Sequence, residues 1–178
     1  MGKMVGIFLL NIYTLTLMAC ASINSTTAII PPDIQIFFTP GPDCENNIIT
    51  QINNANKIDI AVYSITNPEI TNAIIDAHKR GADIRIITDK TQSKGKKSLI
   101  NKIKQSGISV LTNKHHKIEH NKFAIFDDED VVSGSYNWTT NASMYNSENC
   151  LFFKQSNKEY SNRFKYLWDM YKQLLHTT

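Results

Sequence analysis

The chain has 178 residues, 42% of them hydrophobic and 20% charged, with a formal net charge of +3. That length fits a single domain with a sizeable core. No internal repeat or low-complexity tract is present, which excludes a solenoid array.

Lys3 precedes an apolar run over residues 4–18, and Ala19-Cys20-Ala21 offers small residues for cleavage. The pattern reads as a secretory signal. It is short for a membrane span, and Asn11 interrupts it. Residues 17–20 also resemble a bacterial lipoprotein box with Cys20 as the lipidated residue, and an uncleaved anchor is a third reading. We divide the chain into a signal or anchor over 1–21, a polar linker over 22–33 and a domain over 34–178. Secretion or a periplasmic location is the first expectation. No stable membrane partner is expected unless the leader stays uncleaved or Cys20 is lipidated.

Residues 34–38 read as a strand stopped by Pro40-Gly41-Pro42. Residues 45–55 have helical spacing, and 58–63 are a strong strand. Asn67 and Pro68 suit an N-cap and first helical position, with Gly81 as the stop. Residues 84–87 follow as a strand, which makes a βαβ unit with parallel strands. A helix over 96–105 ends before Gly107, and 108–111 form another strand. Residues 123–126 and 131–132 are short apolar runs around an acidic turn, the pattern of a β-hairpin. Residues 149–153 are expected to close the sheet and 157–175 to form a last helix. Cys44 and Cys150 can form one disulfide in an oxidising compartment, although nothing in the sequence brings them together.

The hairpin carries the chemistry. The stretch reads H-x-K-x4-D-x6-G-S-x-N, with His120, Lys122, Asp127, Gly134, Ser135 and Asn137. With Asp128-Glu129 as a two-residue loop, Phe126 pairs with Val131, Lys122 with Ser135, and His120 with Asn137. Side chains alternate along a strand, so His120 and Lys122 share a face. Opposite residues lie ~5 Å apart at Cβ. A neutral imidazole can attack phosphorus, and a second can protonate the leaving oxygen. Lys122 offers a compact positive charge. Ser135 and Asn137 can donate to the phosphate oxygens as charge develops. Asp127 completes the motif as its third catalytic-set residue. Yet it falls on the opposite parity, ~23 Å along an extended strand from His120. Its residue-level reading is a turn or structural role.

The segment from His120 to Asn149 resembles the phospholipase D superfamily signature. Within it, the chain is similar to small bacterial endonucleases carrying one motif copy. Asn137-Trp138-Thr139 and Asn146-Ser147-Glu148-Asn149 match that subgroup. The resemblance implies an α/β fold, an αβα sandwich with a mixed central sheet flanked by helices. It also implies a phosphodiesterase that needs neither metal nor cofactor. Two motif copies must then meet, and this chain has one. The second is expected from another subunit across a two-fold axis, giving a homodimer. By carry-over, Glu148 accepts a hydrogen bond from the His120 ring and fixes its tautomer.

A second motif overlaps the first. Residues 116–120 match H-x-x-E-H, an inverted zincin pattern. That chemistry needs a helix, whereas the pattern here runs directly into a strand. His115 and His116 read as exposed residues near the site entrance.

From Lys90 to Lys122 there are nine lysines and one acid, Glu119. A basic rim beside a phosphodiester site suits nucleic acid, with Lys94, Lys96 and Lys97 as candidate substrate contacts. The competing reading is the solvated face of one helix. Together these features predict a secreted, metal-independent endonuclease acting on DNA or RNA. The alternative is a phospholipase D acting on phosphatidyl head groups. A lipase is expected to show an apolar rim, and the sequence shows none beyond the leader.

Overall fold

The computed structural model describes residues 34–155 and 158–174. The leader and linker readings lie outside them. Seven strands form one mixed sheet in the order β1-β7-β6-β5-β2-β3-β4. The strands are β1 (Gln35–Phe38), β2 (Lys57–Val62), β3 (Asp83–Thr88), β4 (Ser109–Thr112), β5 (Lys122–Phe126), β6 (Asp130–Gly134) and β7 (Asn149–Lys154). The helices are α1 (Asp43–Asn54), α2 (Pro68–Lys79), α3 (Ile100–Gln105), α4 (Thr140–Met144) and α5 (Glu159–Gln173).

Helices α1, α2 and α3 cover one sheet face. Ile48, Ile52, Ile70, Ile74 and Ile103 bury there against Ile58, Ile60, Ile86 and Ala124. α5 covers the other face with Phe164, Leu167 and Tyr171 against Ala61, Ile87, Phe123 and Ile125. The result is the expected αβα sandwich. β2 and β3 are parallel neighbours joined through α2, as the βαβ reading requires. Asn67 caps α2 by accepting from the Glu69 and Ile70 amides at 2.8 and 3.1 Å. Gly81 takes φ +99° just after the helix, a conformation L side chains resist.

Three expectations change. The helix over 96–105 shrinks to Ile100–Gln105, with a 3-10 turn over Gln92–Lys94 and a loop between. β7 does not close the sheet; it lies between β6 and β1, and β1 is the edge. The hairpin register shifts by one residue, so Phe126 faces Asp130 and Phe123 faces Ser133. The cause is local. Asp127 and Asp128 both adopt left-handed φ values of 50° and 62°, and a three-residue loop replaces the two-residue one. A disulfide joins Cys44 on α1 to Cys150 on β7.

Candidate active site

Parallel β2 and β3 end at one edge of the sheet, and the antiparallel partners begin or end there too. Lys122 pairs with Val62, and Gly134 pairs with Cys150. This is the end at which open α/β sheets place ligands. His120 lies two residues ahead of Lys122, in the loop entering β5 rather than on the strand itself. Its exposed ring packs edge-on against Tyr63, with centroids 4.7 Å apart. Lys122 Nζ donates to the His120 carbonyl at 2.8 Å and lies 5.0 Å from the Tyr63 ring centroid. Burial lowers the Lys122 pKa from its ordinary value, while the charges of Glu148 and Glu119 push it back up.

His120, Lys122, Ser133, Gly134, Tyr160 and Arg163 line one open pocket of about 390 Å³. Ser135 and Asn137 do not stand opposite Lys122 and His120 on a strand, as the two-residue loop would have it. β6 stops at Gly134, whose φ is +153°. A Cβ there would drive into the Asn149 carbonyl. The chain then leaves the sheet, and the Ser135 and Tyr136 amides both donate to Asn149 O. Ser135 Oγ accepts from the Asn149 amide at 3.0 Å. Asn137 keeps its side-chain oxygen buried without a partner among the described residues.

Glu148 does not bond the His120 ring among the described residues. Its Oε1 accepts from Asn146 Nδ2 at 3.0 Å, and its backbone is held by Thr39. It acts instead on the charge of Lys122. Asp127 sits at the opposite end of β5, where its Oδ1 accepts from the Asn56 and Lys57 amides, both at 2.9 Å. The structure does not bring it to His120, in line with its turn reading. Lys96 and Lys97 line a cleft on the same sheet end. Lys94, on the 3-10 turn, is exposed outside it.

The H-x-x-E-H segment is not helical. Glu119 is 2% exposed and turns inward. Its Oε2 accepts from Tyr171 Oη at 2.8 Å, and its Oε1 accepts from Asn121 Nδ2 at 2.5 Å. Tyr171 Oη also meets His116 Nδ1 at 2.8 Å. Buried Asp89 accepts from the Glu119, Thr91 and Gln92 amides. Gln92 in turn donates to Tyr63 Oη at 3.0 Å. Sequence reasoning missed Tyr63, Gln92, Asp89 and Arg163. The first three follow the C-terminal ends of β2 and β3, the one signal that could have found them. Arg163 lies on α5 and carried none.

Residues 48–168 match the family model described as cardiolipin synthase, PLD-like domain. The chain belongs to the phospholipase D superfamily. It is 37% identical over 117 residues to a mitochondrial cardiolipin hydrolase of Chlamydomonas reinhardtii, covering 65% of this chain and 52% of that protein. It is 33% identical over 123 residues to a phospholipase D of Rickettsia prowazekii, covering 68% and 60%. The match thus spans little more than half the length of these curated relatives. Among solved structures, the phospholipase D family member Nuc from Salmonella typhimurium superposes with TM-score 0.73 at 30% identity, covering 78% of this chain and 95% of Nuc. NucT from Helicobacter pylori gives TM-score 0.72 at 28% identity, covering 76% and 95%. The His120–Lys122 end of the sheet is the candidate site of this phospholipase D superfamily chain.

Proposed function

We propose that the chain is a secreted, metal-independent phosphodiesterase that cuts DNA or RNA within the strand through a phosphohistidine on His120. One observation carries the reading: His120 and Lys122 share an open pocket on a sheet end that also presents Lys96 and Lys97. Those two lysines meet no carboxylate among the described residues, which suits a polyanion. The His120 imidazole attacks phosphorus, and the P–O bond to the leaving oxygen breaks as a second acid protonates it. Water then gives a proton to that second group and attacks phosphorus, so that a new P–O bond forms as the P–N bond breaks, releasing the phosphoryl end and restoring His120. Lys122 balances the charge on the phosphate oxygens, and Glu148 helps keep it protonated. Ser135 and Asn137 supply further hydrogen bonds. Asp127 holds the hairpin turn.

The second acid comes from His120 of a second copy, because the chain carries one motif. A two-fold homodimer supplies both groups. Phe38, Met144 and Tyr145 are 68%, 56% and 76% exposed, on segments flanking Glu148. We assign this apolar rim to the partner subunit. The Cys44–Cys150 disulfide supports an oxidising compartment. Among the described residues no helix is long and apolar enough to cross a membrane.

A second reading, a phospholipase acting on phosphatidyl head groups, draws support from the same rim. The sequence did not reveal it, because Phe38 lies far along the chain from Met144 and Tyr145. In that reading the rim faces lipid, and the named relatives fit it. The test is the protein in excess EDTA with plasmid, single-stranded DNA, RNA and phosphatidylcholine vesicles. Cleavage of the nucleic acids, lost by at least ~10³-fold in His120→Ala, is the expected outcome. Vesicle hydrolysis alone selects the phospholipase. Activity that vanishes on chelation and returns with zinc overturns the metal-independent mechanism.

A further inference from the structure

Beside the catalytic pocket lies a second opening of about 370 Å³, lined by Ser64, Thr66, Gln92, Lys96, Lys97 and Asn141 among others. Two loops and a helix start meet there: the loop after β2, the loop between the 3-10 turn and α3, and the start of α4. Its lining contains no carboxylate. The side chains of Ser64, Thr66 and Asn141 have no hydrogen-bond partner among the described residues, so their donors are unspent. Lys96 and Lys97 carry no ion pair among the described residues either. They are not on a helix face, since α3 begins only at Ile100. The solvated-helix explanation of their charge therefore does not apply to these two. Lys102, which does lie on α3, spends its ammonium on Asn72 Oδ1 at 2.8 Å.

The cleft is joined to the catalytic residues through Tyr63. Its ring packs on His120 and Lys122, and its hydroxyl receives Gln92 Nε2, whose side chain lines the cleft. Ser64 is the next residue, ~3.8 Å along the backbone. Cations and uncharged donors converging on an open cleft, with no acid among its lining residues, match the requirements of a phosphate. We propose that this cleft is a second phosphate subsite, which takes the phosphodiester flanking the one attacked at His120. The proposal rests on the phosphodiesterase reading and extends it: the substrate is a strand with consecutive phosphates, held at two of them.

The experiment compares one substrate that reaches both subsites with one that reaches only the first. A thymidine 20-mer has flanking phosphates, and bis(p-nitrophenyl) phosphate has none. The ratio of kcat/KM for the 20-mer over the small diester should fall about tenfold or more in Lys96→Ala/Lys97→Ala, and likewise in Thr66→Ala/Asn141→Ala. Lys96→Arg/Lys97→Arg should restore most of it. In parallel, strand binding to His120→Ala protein is titrated with salt. Adding the two lysine substitutions should lower the logarithmic slope by ~0.7 or more, the contribution of one single-strand phosphate. An unchanged ratio or an unchanged slope overturns the subsite. A fall seen with cardiolipin vesicles but not with the 20-mer reassigns it to a lipid with two phosphates and overturns the strand proposal. If neither diester is cleaved, the phosphodiesterase reading fails, and the binding titration still decides the subsite.

Discussion

Lys122 should set the alkaline limit of the proposed site. Burial lowers its pKa, so as pH rises the ammonium loses its proton earlier than an ordinary lysine does. The phosphate then loses its counter-charge. Activity should fall on the alkaline side below the ordinary lysine range, and Lys122→Arg should move that limb to higher pH, because a guanidinium stays charged. A pH–rate profile of the folded Arg variant with the limb unmoved assigns it to another group. Glu119 shows a different residue-scale effect. It is a buried carboxylate whose Tyr171 donor lies 52 residues away in sequence. Tyr171→Phe removes that donor and should cost about 1–3 kcal/mol in urea denaturation; an unchanged midpoint removes the bond from the stability of the loop. His120, Lys122, Ser135, Asn137 and Glu148 could be singled out as candidates because they sit within 30 residues of one another. Tyr63, Gln92 and Asp89 were not, because tertiary packing alone brings them to that segment. Glu148 was expected to meet the His120 ring and instead accepts from Asn146 among the described residues, since sequence spacing does not say which way a loop carboxylate turns.

At the scale of elements, the strands were legible from their apolar runs, and their junctions were not. The hairpin shows why. Two apolar runs fix the strands, while the register depends on backbone angles at Asp127 and Asp128, and aspartate tolerates the left-handed region. One residue of slip exchanges the two faces of a strand relative to its partner. α4 was missed because five residues carry too little periodicity; its cue was Thr139, whose side chain accepts from the Ala142 amide. The helix over 96–105 was overextended because Lys96 and Lys97 suit a helix on propensity alone. The Cys44–Cys150 bond pins α1 to β7 across 106 residues of chain. Cys44→Ala/Cys150→Ala should cost about 2–5 kcal/mol, seen as a lower denaturation midpoint under oxidising conditions. Equal midpoints for the two proteins would show that the crosslink adds nothing to stability.

At the scale of the molecule, one motif copy and two required acid–base groups make the dimer testable by mixing. Excess His120→Ala chain should suppress wild-type activity once subunits exchange, because each mixed dimer lacks one histidine. Sedimentation should show a dimer at working concentration, and a fully active monomer refutes the arrangement. The sheet also fixes how the domain is presented to its surroundings. β1 is the edge strand; Gln35 begins it opposite Phe152, on the side toward the hairpin turn. Phe38 ends it beside Asn149, at the catalytic end. The strand therefore runs from that side toward the end of the sheet that carries His120. An immobilising tag fixed at the start of β1 should leave the opposite end of the sheet free to face outward.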